Sequence, residues 1–514
     1  MNKIGFKHFR RFLAFEPIEY SGITFLVGRN NSGKSTIVKA LLLVLEYLKS
    51  DKVDKFSFSN QRLEDANIVT YDRALNKFAQ KEGQNFIDFE YTLEQFQFSI
   101  NITGKENLSV VDVDTLTITD TEKKITFQIK PTYQTVTLSK FGNLPTVEKK
   151  QTDYLSVLSQ QIEHLEKALD NTALKKSSKA FILKKEELRN LKRRRNILAH
   201  TAETNIQPKE SFVVTTNYTF EENNIAAIIN HAIREAKGMT FAKFKNLTEN
   251  KERRTGELKD AYANYISLQE YGALIDDSLE TLIEEINKIN PYYLPANPAK
   301  QSALFSIRDK NNALSQAIHD FVQLEISKGD VAYRFMEKWM SNDDGFEVGD
   351  SFTIIPQAGE AYEVIVDSNG VSIPLADKGM GSIQIMLLLF RLACIIHKTE
   401  KISYNPLVII EEPELNLHPA LQSRLADLFL TVHEKYGIDF MVETHSEYLL
   451  RKTQLLVKNN EYEVAPNVNP FSVIYFDKAS LSCWKMEYRP DGKFVEKFGS
   501  GFYDETTKLV YELL

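Results

Sequence analysis

The stretch GRNNSGKST, residues 28–36, directly follows the apolar run Ile23–Val27 and precedes a helical pattern from Ile37 to Leu48. Strand, glycine loop, helix is the order of a P-loop, and the spacing Gly28-x4-Gly33-Lys34-Ser35 fits it. The motif restricts the chain to α/β folds in which a sheet delivers a loop to a helix N-terminus. Gly28 and Gly33 let the backbone curl so that successive N–H groups face phosphate oxygens, and the helix end adds its positive pole. Lys34 is placed to reach the β and γ phosphates and the Ser35 hydroxyl to ligate Mg²⁺. Asn30, Asn31, Ser32 and Thr36 complete the cradle.

Such a loop needs an acidic residue at the end of a neighbouring strand to hold the Mg²⁺ shell. PLVIIEEPELNLHP, 406–419, provides an apolar strand, Leu407–Ile410, ending in Glu411 and Glu412. The first carboxylate suits the metal side and the second an attacking water. Hundreds of residues separate this Walker B motif from the P-loop, whereas GTPases and small-molecule kinases keep the two within one small domain. A helical run, Ala420–Glu434, leads to a second apolar strand, Ile438–Val442, followed by Glu443, Thr444, His445 and Ser446. At the end of a strand beside Walker B, His445 can contact a γ-phosphate or orient water. Upstream, PLADKGMGSIQIMLLLF, 374–390, opens an apolar helix with Gly379 and Gly381 near its N-terminus, where N–H groups can meet phosphate.

Residues 1–150 read as antiparallel strands, among them FIDFEYTL, FQFSINI and TFQIK. From about 152 the period becomes helical. Leu155, Leu158, Ile162, Leu165 and Leu169 form one apolar stripe and Phe181, Leu188, Leu191 and Leu198 a second, with the polar NTALKKSSK between them. This predicts a short antiparallel coiled-coil hairpin within a helical insertion, 151–289. Strand chemistry returns at PYYLP, 291–295, and SFTIIP, YEVIVDSNGVSIP, LVIIEE and DFMVETH alternate with helices from 351 onward, an α/β rhythm. The expected organisation is one nucleotide-binding domain whose parts, 1–150 and 290–514, flank the insertion. No internal repeat or low-complexity tract interrupts it.

Hydrophobic residues are 43% and charged residues 26% of 514, the balance of a globular protein. A net charge of −7 excludes a generic polyanion binder and confines any nucleic-acid surface to a local patch. Two cysteines, Cys394 and Cys483, offer neither a disulfide framework nor a metal cluster, which suits a reducing cytoplasm. The N-terminus lacks a signal-peptide core and no stretch reads as apolar for the length a membrane span needs, so the expected location is cytoplasmic.

On these motifs the sequence resembles ABC-type ATPases of the overcoming-lysogenisation-defect group and their SMC and RecF-like relatives. EEPELNLHP is similar to that group's Walker B and D-loop, with Glu411 where most P-loop enzymes have Asp, Glu412 matching the catalytic glutamate and His445 the switch histidine. ADKGMGSIQ resembles a degenerate signature motif, implying that Lys378, Gly379, Gly381 and Ser382 contact nucleotide bound by an opposite subunit. Lys378 or Ser382 stands for the signature serine. YYLPANPAKQ resembles the Q-loop segment, with Asn297 and Gln301 as alternatives, and 489–505 looks like a C-terminal module often attached to such ATPases. The resemblance implies an ABC-type head with an antiparallel β subdomain, ATP and Mg²⁺ as cofactors, and a homodimer or higher homo-oligomer.

The strongest basic run is LKKEELRNLKRRRN, 183–196. On a helix Lys185, Arg189, Lys192 and Arg195 or Arg193 make a stripe able to meet phosphates, diluted by Glu186 and Glu187. Nucleases of the overcoming-lysogenisation-defect type carry a Toprim domain with an Asp-x-Asp pair, and no such pair follows His445. The expectation is therefore an ATP-dependent switch acting on a separate effector, a nuclease, similar to ATPase subunits of antiphage systems of the Septu or PARIS type. The alternatives are an SMC or RecF-like repair ATPase that clamps DNA, and a stand-alone nuclease.

Overall fold

The P-loop strand Ile23–Gly28 lies in the interior of a six-stranded sheet. Across this sheet run Pro291–Leu294, Leu407–Glu411, Asp439–Thr444, Ile23–Gly28, Phe471–Phe476 and Cys483–Met486, parallel except for the last. The computed structural model describes residues 2–59, 70–141, 151–170, 211–218, 224–237, 271–296, 302–309, 312–400, 406–460 and 469–499, with isolated residues at 68, 184–195, 267, 502 and 512. Segments distant in the chain thus build one sheet.

Successive strand residues point to opposite faces, so a parallel strand covered on both sides must be apolar throughout. Ile23, Phe25, Val27, Val408, Ile410, Phe440 and Val442 pack with a helical layer made of Ala313–Gln323, Val331–Met340, Met380–Thr399, Pro419–Tyr436 and Glu447–Asn459. Leu26, Ile409, Met441, Ile474 and Phe476 face the other way, toward the P-loop helix Lys34–Leu48 and a large antiparallel sheet. That sheet has nine strands in the order Phe212–Asn217, Thr135–Lys140, Ile125–Lys130, Val110–Asp120, Phe96–Thr103, Phe86–Leu93, Asn2–Phe9, Phe12–Tyr20, with Lys55–Ser57 pairing off Val110–Asp120. A third sheet of four short strands includes Ser351–Gln357, Ala361–Ser368 and Val371–Pro374. The α/β class and the antiparallel subdomain agree with the sequence reading.

Three expectations change. First, the strand bordering the P-loop strand on the Walker B side is Asp439–Thr444, and Leu407–Glu411 lies one position further out. Second, the insertion is not wholly helical: Phe212–Asn217, rich in β-branched residues, adds an edge strand to the antiparallel sheet by pairing with Thr135–Lys140. Third, Met380–Thr399 is long and apolar enough to cross a membrane by length and composition. It is mostly buried inside the protein, and a helix apolar all round is a core helix when neighbours cover it. Each large apolar side chain buried there contributes about 1.5–3 kcal/mol, so the surface a bilayer could take is already used.

Of the expected hairpin, the helix Gln151–Asp170 is present, with Ile162 buried. Lys192 pairs with Glu166 at 2.5 Å, which sets described residues of the second arm beside the first. Lys185, Arg189 and Lys192 are exposed, whereas Arg195, like Leu188 and Leu191, is half-buried, so the predicted basic stripe is exposed only in part. Arg193, Glu186, Glu187, Phe181 and Leu198 lie outside the described residues.

Candidate functional site

The P-loop leaves its strand through backbone geometry that only glycine adopts without strain. Gly28 has φ 147° and a Cβ there would strike the Phe476 carbonyl; Gly33 has φ 114° and a Cβ there would strike the Phe12 ring. Phe12 follows the tip of the N-terminal hairpin formed by Asn2–Phe9 and Phe12–Tyr20, so the antiparallel subdomain covers the loop. Asn31 takes the left-handed conformation, φ 62°, which Asn tolerates best after Gly. Asn30 and Asn31 are exposed at the crest, Ser32 and Thr36 are buried, and the Thr36 N–H donates to the Gly33 carbonyl at 3.0 Å.

Lys34 is 3% exposed. Its Nζ donates to the carbonyls of Gly28 and Arg29 at 3.0 and 3.2 Å, lies 3.2 Å from His445 Nε2 and 3.7 Å from Glu443 Oε1. Burial pulls the ammonium below the usual lysine range, against the opposing pull of Glu443 and Glu412. The Ser35 hydroxyl donates to Glu443 Oε1 at 2.9 Å.

Two neighbouring strands therefore end together in carboxylates. Glu411 is held by the Tyr293 hydroxyl and the Ala296 backbone, from the PYYLPA segment, and burial raises its pKa despite these bonds and nearby Lys39. Its Oε1 is buried without a hydrogen-bond partner. Glu443, at the end of the strand beside the P-loop strand, is pushed up to about 7 by burial, with Lys34 opposing and Glu411 adding to the rise. Its Oε2 is likewise buried and unpartnered. Glu412 turns out of the strand at φ 48°, its N–H donating to the Glu443 carbonyl at 2.8 Å, and its carboxylate stands 3.8 Å from His445 Nε2. Burial and then Lys34 pull His445 down to about 4, so its imidazole is neutral at pH 7.

The predicted residues Gly28, Lys34, Ser35, Glu411, Glu412 and His445 thus converge. Lys378, Gly379, Gly381 and Ser382 sit at the start of Met380–Thr399. A Cβ at Gly381 would lie 2.8 Å from the Asn416 carbonyl, and one at Gly379 would meet open space. Within the chain this turn abuts the loop after Walker B. Asn297 and Gln301 lie outside the described residues, although their neighbours Tyr293 and Ala296 reach Glu411.

Sequence reasoning left Glu443 and Glu414 without a role. A charged residue closing a fully apolar strand was the available signal for Glu443. Glu414 gave none, because its burial comes from the turn that follows Walker B.

The donor set suits a cation that keeps part of its water shell. Among the described residues no group of three or more His, Cys, Asp or Glu side chains could hold a metal by itself. Mg²⁺ commonly takes one or two carboxylates, a hydroxyl, water and substrate phosphates. Ser35 with the unpartnered oxygens of Glu411 and Glu443 could supply that protein share, and a cation there would relieve the repulsion between the two carboxylates.

Among solved structures, similarity is found to the Smc head domain with an extended coiled coil bound to the C-terminal domain of ScpA from Pyrococcus furiosus, at 13% identity over 100% of both chains and TM-score 0.32. The Smc head domain with a coiled coil and joint from Pyrococcus yayanosii gives 13% identity over 100% of both chains and TM-score 0.34. The SmcHead bound to the C-winged helix domain of ScpA gives 12% identity over 94% of this chain and 95% of the other, with TM-score 0.32. Superpositions this weak support no inference about function. No curated protein matches. A family model described as an AAA ATPase domain matches residues 1–450, a span that takes in the P-loop, both carboxylate-bearing strands and His445. The chain belongs to the AAA ATPase domain family.

Proposed function

We propose that this protein is the ATP-binding and ATP-hydrolysing switch subunit of a prokaryotic antiphage defence complex, and that it controls a separate effector, a nuclease. The observation that carries the ATPase reading is the convergence of Lys34, Glu412 and His445 at one point, with Ser35 and Glu443 hydrogen-bonded beside it. Lys34 would exchange the Gly28 and Arg29 carbonyls for β and γ phosphate oxygens. Ser35, Glu411 and Glu443 would hold Mg²⁺, which neutralises phosphate charge when bound. Glu412 would take a proton from the attacking water, and the neutral His445 would fix the position of that water or of the γ-phosphate. Gly379, exposed at a helix N-terminus, and Gly381, half-buried beside it, would cover the nucleotide of an opposing copy, which makes the active form a homodimer or a higher homo-oligomer.

The defence role and the effector are supported by the resemblance of EEPELNLHP and ADKGMGSIQ to ATPase subunits of such systems. Purification of the chain with the products of its neighbouring genes tests them. A nuclease should co-elute, and its cleavage should differ between the ADP-bound complex and a complex trapped with ATP by Glu412→Gln. If instead the trapped protein retains duplex DNA in an ATP-dependent way and no nuclease accompanies it, the DNA-clamp reading replaces this one.

A further inference from the structure

The turn that follows the Walker B strand is strapped to the segment carrying His445. Glu412 donates its N–H to the Glu443 carbonyl at 2.8 Å. Gln422 accepts from the Ser446 hydroxyl at 2.6 Å and donates to the Leu417 carbonyl at 3.0 Å. Between these ties Glu414 turns inward to 8% exposure, and its Oε1 accepts the backbone N–H of His445 at 2.6 Å. Its Oε2 is buried without a hydrogen-bond partner. On its outer side the same turn meets the glycine segment, where Gly381 packs on the Asn416 carbonyl.

We infer that Glu414 is a positioning residue for hydrolysis: it fixes the backbone of His445 and so makes the orientation of that imidazole depend on the conformation of residues 412–418. This rests on the ATPase reading above. The bond is short, part-buried and made to a carboxylate whose own side chain is buried, conditions under which a hydrogen bond is strong and its loss is costly. His445 reaches both Lys34 and Glu412 from this one backbone position. Glu414 itself has no hydrogen bond or ion pair to Lys34 or Ser35 among those described, and its charge acts on Lys34 less than those of Glu443 and Glu412, so its effect should fall mainly on turnover rather than on nucleotide binding. The contact with Gly381 extends the chain of dependence: displacement of the glycine segment would move Asn416, then Glu414, then His445. The role of the glycine segment would thereby include setting His445 within its own subunit.

The test compares Glu414→Ala, which removes the acceptor, with Glu414→Gln, which keeps an acceptor oxygen of the same reach. Removal of the acceptor should lower kcat by about 10- to 100-fold. KM and the Kd for ATP should stay within about twofold of wild type, and Glu414→Gln should recover most of the loss. Selective ¹⁵N-histidine labelling gives a second readout: the His445 amide proton should resonate downfield in wild type and Glu414→Gln and move upfield in Glu414→Ala. If the alanine variant does not fold, Glu414→Met fills the volume without an acceptor and takes its place. Wild-type kcat in the acceptor-less variant, equal damage in Glu414→Gln, or a parallel fall of kcat and ATP affinity would each overturn the inference. Absence of any Lys34-dependent hydrolysis in wild type would instead overturn the ATPase reading beneath it.

Discussion

Nε2 of His445 and Nζ of Lys34 lie 3.2 Å apart, although 411 positions separate them in the chain. A cationic imidazole could not stay there, since burial and the lysine both disfavour its charge. The neutral ring therefore accepts from the ammonium through Nε2, which puts the imidazole proton on Nδ1. Lys34 also donates to two P-loop carbonyls, partners that phosphate oxygens would have to replace.

Lys34→Ala removes the ammonium that would meet the β and γ phosphates. ATP affinity should fall by about 100-fold or more, because charge-assisted contacts to phosphate are lost in a buried site. Equilibrium dialysis measures this directly, and unchanged affinity would refute the P-loop assignment.

Glu412→Gln keeps the shape of the side chain and loses its basicity. The variant should bind ATP and hydrolyse it about 100-fold more slowly or worse, within the range expected for loss of a general base. Glu411→Gln should instead raise the Mg²⁺ concentration needed for half-maximal activity. Single-turnover hydrolysis with Mg²⁺ titration separates the two, and the opposite pattern would reverse the two roles.

The pKa of Glu443, raised by burial to about 7 from an ordinary 4.5, links its charge to stability. A folded-state pKa above the unfolded value means that the native protein holds a proton the unfolded chain has lost. This contribution is present below pH 4.5 and disappears as pH rises through 7, by an amount on the order of 3 kcal/mol. His445 acts with opposite sign between pH 6.5 and 4, because its folded pKa is lowered. A comparison of wild type with Glu443→Gln isolates the glutamate. The Tm of the variant relative to wild type, in the nucleotide-free protein, should rise between pH 5 and pH 7 and level off above it. A Tm difference independent of pH would contradict the burial of an ionising carboxylate at this position.

Gly379 is the better position for testing a site shared between subunits. Gly381→Arg would collide with Asn416 in its own chain, so lost activity could arise there, whereas a Cβ at Gly379 meets open space. Gly379→Arg should retain ATP binding and the wild-type Tm, and should lower hydrolysis at least about tenfold by obstructing approach to phosphate. Co-expression with Lys34→Ala should restore part of the activity, since a mixed dimer keeps one intact P-loop facing one intact glycine turn. Verified mixed dimers without recovered activity would count against the shared site, and so would hydrolysis by a strictly monomeric preparation.

The sequence by itself determined what local physics can enforce. Gly28 and Gly33 were legible because their φ values of 147° and 114° admit almost no other residue, and the strands Phe86–Leu93 and Phe96–Thr103 because each alternates between a core face and an outer face. The ends of Leu407–Glu411 and Asp439–Thr444 were legible because a parallel strand covered on both faces stays apolar until it leaves the sheet. What only the tertiary structure decided is the order of those strands and the burial of charges at their ends. No local pattern puts Asp439–Thr444 between the P-loop strand and Leu407–Glu411, yet that order brings Glu443 to Ser35. No local pattern turns Glu414 inward to the N–H of His445, or covers Met380–Thr399 with protein, since both depend on segments far away in the chain. Spacing constrains neighbours along the backbone, whereas a carboxylate's partner and its pKa depend on which distant strand ends beside it.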